Sequence, residues 1–343
     1  MDTTPSPIEG QLAAYLAAHI ALPAGTLRAE PIGHGHSNPT FGLTLDGRAL
    51  PYVMRKQPAG PLPKSAHAID REFRVMSALA GTVIPVPAMI HYCADPAVVG
   101  TPFYLMERVA GRVFEDNRLP GIPALERRAY FAAMAGILAD LHGLDVEAIG
   151  LASFGRGGDF LDRQLSTWSR QHEALRLPGC EGLDQLVEWL RQHRPADVTA
   201  PSLVHGDFRL GNLMFHPHRS EVVALLDWEL STIGHPMADL GYNLIAWIQQ
   251  HDEYNGLADT DLAAAGIPSM QEYIGMYCAR RGLPPAIDPF FIAFSFFRLA
   301  VIFEGVARRE AAGTATAGGA PANRSSSGFA RLFTRHGLTQ AGL

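Results

Sequence analysis

Apolar positions recur at helical spacing from the start of the chain, where Ile8, Leu12, Leu16 and Ile20 predict an amphipathic helix over residues 8–20. The period then changes. Residues 33–39, Gly-His-Gly-His-Ser-Asn-Pro, are loop formers; residues 41–45 alternate; Asp46-Gly47 reads as a hairpin turn; residues 51–56 alternate again. The pattern is a strand, a glycine-bearing turn, a strand, a hairpin turn and another strand. Ser65 is placed to cap a helix over residues 66–79, with Ala68, Phe73, Met76 and Leu79 roughly on one face. Short strands are predicted at residues 89–93 and 103–106. The sum is a small antiparallel sheet with one helix, an α+β lobe.

From Glu107 onward helical periodicity dominates, over residues 127–141, 160–175, 183–194, 236–250, 270–281 and 289–309. Only residues 202–227 interrupt it with strand and turn signals. No internal repeat is present, and the Ala/Gly/Ser-rich run 311–328 reads as a loop before a last helical turn. A chain of 343 residues suits two unequal lobes, and 47% apolar with 18% charged residues is the balance of a packed fold. The formal charge of −6, with no block of like charges, argues against nucleic acid as the main partner; residues 156–176 are the place for a local basic patch. Cys93, Cys180 and Cys278 are odd in number and widely spaced, which suggests neither a disulfide framework nor a zinc site and fits a reducing, cytoplasmic home. The opening Met-Asp-Thr-Thr-Pro has no basic region before an apolar run, and no uninterrupted apolar stretch reaches spanning length, so neither secretion nor a membrane is expected.

The chemistry concentrates in His205-Gly206-Asp207-Phe208-Arg209-Leu210-Gly211-Asn212 and, one hairpin later, Leu225-Leu226-Asp227-Trp228-Glu229. Phosphoryl transfer through a loose transition state needs in-line positioning, a carboxylate to take the hydroxyl proton, and cations that neutralise the β and γ oxygens. An aspartate and an asparagine five positions apart on one loop serve two of those tasks, Asp207 facing the acceptor hydroxyl and Asn212 turning back to a metal. Asp227, at the end of an apolar strand, supplies the harder ligand that magnesium prefers. Any one of these residues alone would read as an ordinary turn residue; their order, flanked by apolar strands, reads as catalysis.

With Gly234-His235-Pro236-Met237-Ala238-Asp239-Leu240 added, residues 203–243 resemble the aminoglycoside phosphotransferase and choline kinase superfamily, and more closely the branch related to the kinase-like domain fused to some acyl-CoA dehydrogenases. The resemblance runs from Ser37-Asn38-Pro39-Thr40 through Tyr52-Val53-Met54-Arg55-Lys56 and Asp70-Arg71-Glu72 to Phe297-Arg298-Leu299-Ala300. It implies a protein-kinase-like two-lobed α+β fold, residues 1–106 forming the N-lobe and 107–343 the hinge and helical C-lobe. It also implies ATP or GTP as donor, with Mg2+. The loop 33–38, with Gly35, Ser37 and Asn38, would cover the phosphates. Alternation puts Val53 and Arg55 on one strand face and Met54 and Lys56 on the other. The resemblance favours Arg55 for the phosphates, with Glu72 as its helix partner, and makes residues 103–111 the hinge, where adenine would meet backbone groups near Glu107 and Val109. Asp239 would brace the catalytic loop, and His235 departs from the aspartate often found at its place.

The acceptor, a small-molecule hydroxyl, is the open question. In residues 160–175, Arg163, Gln164, Trp168, Arg170 and Gln171 resemble a pattern of the acyl-CoA-dehydrogenase-like branch, while from spacing alone they equally suit an amphipathic helix. Arg298, in an otherwise apolar stretch, needs an anionic partner, which is either a substrate group or a structural carboxylate. A hydroxyacyl-CoA is the first expectation and an aminoglycoside or macrolide the alternative; a nucleotide-binding pseudokinase is disfavoured because Asp207, Asn212 and Asp227 are all present.

Overall fold

Alternation and turn chemistry set the first sheet. In the computed structural model, which describes residues 7–32, 38–60, 68–155, 159–196, 200–313 and 325–343, the chain divides into two units. The first comprises Met1–Ala110 with Ala224–Glu229, the second Gly111–Val223 with Leu230–Leu343. Gly35, Ser37, Ser65 and most of the run 311–328 lie outside the described residues.

In the first unit, helix α1 (Pro7–Ile20) precedes strands β1 (Leu27–Pro31), β2 (Thr40–Leu45) and β3 (Arg48–Lys56). Helix α2 (Ile69–Leu79), β4 (Met89–Cys93), the one-turn α3 (Pro96–Val99) and β5 (Phe103–Glu107) follow. The five strands are antiparallel in the order β1-β2-β3-β5-β4. The pleat sorts the side chains. Met54, Phe103 and Leu105 share a buried cluster with Leu12 and Leu16 of α1. Arg55 and its cross-strand neighbour Tyr104 occupy the opposite face, with Glu72 of α2. Helix α2 begins three residues later than the periodicity suggests, with Ala68 at its N-cap and no side-chain cap.

The second unit is mainly helical. Strand β6 (Arg112–Val113) leads to α4 (Ala124–Gly143), α5 (Phe160–Leu175) and α6 (Gly182–Gln192). Short strands β7 (Ser202–Val204), β8 (Leu213–Phe215), β9 (Val222–Leu225) and β10 (Thr232–Gly234) flank the chemistry-bearing segments. Then come α7 (Met237–Leu244), α8 (His251–Tyr254), α9 (Leu262–Ala265), α10 (Met270–Arg281), α11 (Pro289–Ala311) and α12 (Ser326–Ala341). Strand β7 pairs with β10, so the residues after β7 and before α7 leave one two-stranded ribbon. Capping fixes several helix starts: Asp159 accepts from the Asp162 amide, and Ser269 and Glu272 form a reciprocal box at α10.

One expectation is corrected. The helix over 236–250 stops at Leu244, where a 3₁₀ turn at Ile245–Trp247 begins. Tertiary bonds take over there: the Leu257 amide donates to the Ala246 carbonyl at 2.7 Å, the Ala258 amide to the Gln249 carbonyl at 2.9 Å, and the Trp247 indole to the Pro268 carbonyl at 2.8 Å. Helix α11 has 23 residues and an 18-residue window of mean hydropathy 1.9, interrupted by Arg298 and Glu304; 78% of that window is buried inside the protein, as in a core helix. The three cysteines are buried free thiols.

Helix α7 lies close on α11 at Gly241, where a Cβ would come within 2.6 Å of the Phe291 carbonyl oxygen. We expect Gly241→Ala to lower stability by about 1–3 kcal/mol through overpacking, read as a shifted urea midpoint. An unchanged midpoint would show that the two helices separate freely.

Candidate active site

In the first unit, the side chains that carry chemistry meet at Arg55. Its Nε lies 3.0 Å from Glu72 Oε2, and its Nη2 donates to Asp227 Oδ1 at 2.7 Å. Glu72, 1% exposed, also accepts from the Tyr104 hydroxyl at 2.9 Å and from the Asn38 amide. Burial pushes the Glu72 carboxyl up to about 7, and the Arg55 guanidinium offsets only part of that. Burial alone would lower Arg55, yet Glu72, Tyr104 and Asp227 outweigh it and leave its pKa raised. Lys56 turns the other way, donating to the Val99 carbonyl at 2.6 Å.

Asp227 takes a left-handed φ of 64°, uncommon for a residue with a Cβ, and the Trp228 indole closes the turn onto the Leu225 carbonyl at 3.0 Å. Glu72, Asp227 and Glu229 each bring a carboxylate oxygen within 4.8 Å of the others. An all-oxygen donor set of this kind fits a hard divalent cation such as magnesium. At the end of β5 the Glu107 amide donates to the Ala88 carbonyl at 2.8 Å and its carboxylate accepts from the Ala88 amide at 3.2 Å; Val109 is half-buried two residues on.

In the second unit, Asp207 is held from both oxygens. The Tyr242 hydroxyl donates to Oδ1 at 2.6 Å, and the Asn212 amide donates to Oδ2 at 2.9 Å and to the Asp207 carbonyl at 2.8 Å. The 3₁₀ turn Leu210–Asn212 brings Asn212 back to Asp207, five residues upstream. Buried Asp239 accepts from the His205 amide at 2.6 Å and the Gly206 amide at 2.8 Å, with His142 Nε2 at 3.3 Å. Burial alone would raise its carboxyl; the hydrogen bonds from His142 and Gly206 and the nearby imidazoles hold it below the usual carboxylate range. Gly206 has φ 85°, and a Cβ there would lie 2.5 Å from the Leu230 carbonyl, so the residue before Asp207 has to be glycine.

Arg298 donates to the Gly206 carbonyl and lies 5.0 Å from the Tyr242 ring centroid, so within the protein it meets a backbone dipole and an aromatic face. The His235 ring lies tilted against Phe291 at 4.6 Å between centroids, and its Nδ1 accepts from the Met237 amide at 3.2 Å, just before α7.

A cavity of about 190 Å³ lies beside the loop 205–212, bordered by Glu115, Arg209, Tyr242, Asn243, Gln249 and Tyr254 among others. Arg163, Trp168 and Arg170 do not line it. The Trp168 indole donates to Gln164 Oε1 at 2.9 Å, and Arg170 Nε donates to the Ser166 carbonyl at 3.1 Å within the same helix.

The family model described as phosphotransferase enzyme family matches residues 28–273. The chain belongs to this family. It is 44% identical over 313 residues to acyl-CoA dehydrogenase family member 10 of Mus musculus, covering 90% of this chain and 29% of that protein. With family member 11 of Homo sapiens it shares 41% over 304 residues, covering 87% and 39%. The chain thus spans between a quarter and a half of the length of these curated relatives. Among solved structures, a candidate aminoglycoside phosphotransferase of Ralstonia eutropha superposes with a TM-score of 0.85 at 41% identity, over 97% of this chain and 98% of that one. The GDP complex of aminoglycoside 2'-phosphotransferase-IIIa, 16% identical with a TM-score of 0.58 over 97% of each chain, shares the fold. The family assignment fixes the architecture as protein-kinase-like and the reaction class as phosphoryl transfer to a hydroxyl.

Tyr242 carries no sequence signal, since it sits in a helix whose periodicity explains any aromatic residue; Glu229 stands in the segment after β9 that draws attention to Asp227, but no role is read for it there. Only the fold shows that one reaches Asp207 and the other joins Glu72 and Asp227.

Replacing Asp239 by Asn sets an amide donor against one of the two backbone amides it now receives. We expect a loss of about 3 kcal/mol at neutral pH. Because the folded-state carboxyl is depressed, the Asp contribution is present above the unfolded value near 3.9 and fades as pH falls below it. Urea unfolding at pH 7, 5 and 3.5 should show the gap between wild type and D239N narrowing at the acid end; a gap independent of pH would mean that Asp239 is not anionic in the fold.

Proposed function

We propose that this chain is a magnesium-dependent small-molecule kinase that moves the γ-phosphoryl of ATP or GTP onto the hydroxyl of a hydroxyacyl-CoA. The observation that carries the kinase reading is the Asp207 carboxylate, oriented by Tyr242 and Asn212 on a loop whose amides are pinned by Asp239. The acyl-CoA reading is supported by relatives above 40% identity that are named as acyl-CoA dehydrogenase family members.

In the proposed reaction the acceptor oxygen bonds to the γ-phosphorus, the bond from that phosphorus to the β-bridging oxygen breaks, and the nucleoside diphosphate leaves. The hydroxyl proton passes to Asp207. Arg55, fixed by Glu72, supplies a cation for the α and β phosphates, with Asn38 beside it; Gly35, Ser37, Glu107 and Val109 complete the nucleotide contacts in this reading. Asn212 Oδ1 and Asp227 would hold magnesium, which would supply positive charge to neutralise the β and γ oxygens. Glu229 joins Asp227 on the metal side. Arg163, Trp168 and Arg170 serve as contacts for a phosphate-bearing carrier, Trp168 as an apolar surface and the two arginines as cations on one helix face.

An aminoglycoside acceptor is the second reading, favoured by the name of the Ralstonia eutropha neighbour. Polycations demand free carboxylates. Glu115, at the cavity beside the catalytic loop, is already paired with Arg209 at 3.0 Å.

Asp227→Ala should abolish magnesium-dependent binding of a nonhydrolysable nucleotide by calorimetry, since the phosphate charge loses its counter-ion; undiminished affinity would remove Asp227 from the metal. In an ADP-release assay across hydroxyacyl-CoAs, aminoglycosides, macrolides, choline and sugars, turnover should appear on the CoA esters. Asp207→Asn should cut it by a factor on the order of a hundred or more while nucleotide affinity holds. Turnover of an aminoglycoside with silence on every CoA ester would sink the acceptor, and a wild-type rate in D207N would move the base elsewhere.

A further inference from the structure

Gln249 is 0% exposed, and neither its Oε1 nor its Nε2 has a hydrogen-bond partner within the protein. Buried polar groups are bonded in the great majority of cases, so an amide with both ends free is an exception that calls for an occupant. Gln249 borders the cavity beside the catalytic loop. Asn243, on the same wall, donates to the Phe208 carbonyl at 3.2 Å but leaves its buried Oδ1 without a partner. The backbone holds Gln249 in place: its amide donates to the Ile245 carbonyl at 3.1 Å, its carbonyl accepts from Ala258, and a Cβ at Gly256 would come within 1.9 Å of that carbonyl oxygen.

The rest of the wall ties this amide to the chemistry. Tyr242 lines the same cavity and donates to Asp207 Oδ1, and Arg209 lines it with its Nε 3.7 Å from Asp207 Oδ2. Arg209 also pairs with Glu115 across the cavity mouth. The charges on the wall are therefore matched with one another. Two further wall residues are tied by side-chain to backbone bonds, the Asn117 side-chain amide to the Asn255 carbonyl at 2.8 Å and the Asn255 side-chain amide to the Glu115 carbonyl at 3.2 Å. What the interior leaves unmatched is neutral: two carbonyl-type acceptors and one NH2 donor.

We propose that this cavity is a subsite for the non-reacting part of the acceptor, that the group it takes is uncharged and both donates and accepts hydrogen bonds, such as a carboxamide or a hydroxyl, and that Gln249 determines its selection. A polycation finds no free carboxylate there, and a phosphate finds no free cation. A site built to hydrogen-bond rejects ligands that lack the bond far more strongly than an apolar pocket rejects a poor fit, because its own polar groups are then stranded. The proposal rests on the kinase reading only in calling the occupant an acceptor.

The probe is the hydroxyacetyl thioester of N-acetylcysteamine, a neutral molecule carrying a hydroxyl, a thioester carbonyl and a carboxamide. Its affinity is measured by NMR titration against wild type and Gln249→Leu, beside kanamycin and inorganic phosphate. We expect Q249L to bind the thioester at least tenfold more weakly, to keep its magnesium-nucleotide affinity within twofold, and to melt at the same temperature or higher, since a stranded amide has been removed. Equal thioester affinity in both proteins overturns the proposal. So does a Q249L protein that melts lower and loses nucleotide and thioester alike, the mark of an amide that serves the fold through a buried water. Kanamycin or phosphate binding that depends on Gln249 overturns the neutral character. The two readings fail separately: turnover of a CoA ester at wild-type KM in Q249L removes the subsite and leaves the kinase, whereas Gln249-dependent thioester binding with no turnover of any CoA ester removes the acyl-CoA acceptor and leaves the subsite.

Discussion

The second unit depends on one buried carboxylate. Asp239 accepts the two successive amides of His205 and Gly206 and faces His142 from α4, so a single anion joins the start of the catalytic loop, helix α7 and helix α4. A buried charge with every oxygen bonded is tolerable, and one with a missing partner is not. That asymmetry makes the arrangement all or none. With residues 205 and 206 pinned, Asp207 has one place to be, and Tyr242, one turn after Asp239 on the same helix, arrives at its Oδ1. The imidazole of His142 is itself set by the Tyr277 hydroxyl at 2.8 Å, and burial holds its pKa below the ordinary histidine value.

The first unit repeats the logic with opposite signs at its centre. Arg55 is the buried cation, and Glu72, Tyr104, Asn38 and Asp227 are disposed around it and around one another. Burial raises the Glu72 carboxyl, and the neighbouring guanidinium offsets part of that rise.

Arg298 and His235 share a feature, since each is tied to backbone near the loop 205–212 or α7. Each makes the bond its position requires: Arg298 through a carbonyl and an aromatic face, His235 through an imidazole nitrogen just before α7. Position in the fold fixes which hydrogen bond must be made. The acceptor region is different, because no such requirement constrains it, and its polar groups around Gln249 are left for a ligand to complete.

The sequence by itself determined the elements and the order of the chemistry. Periodicity placed α5 and α10 at their observed bounds, alternation put Arg55 and Lys56 on opposite faces, and the spacing of Asp207, Asn212 and Asp227 identified the loop and strand end. These are local properties, written within a few residues of chain. Tertiary structure decided the rest. That Tyr242 reaches Asp207, that Arg298 serves the Gly206 carbonyl, that α7 ends at Leu244 and that Glu229 joins Glu72 and Asp227 all rest on contacts between segments far apart in sequence. Such contacts leave no period in the chain, because a buried hydrogen bond is specified by where two backbones meet and not by the spacing of residues along either one.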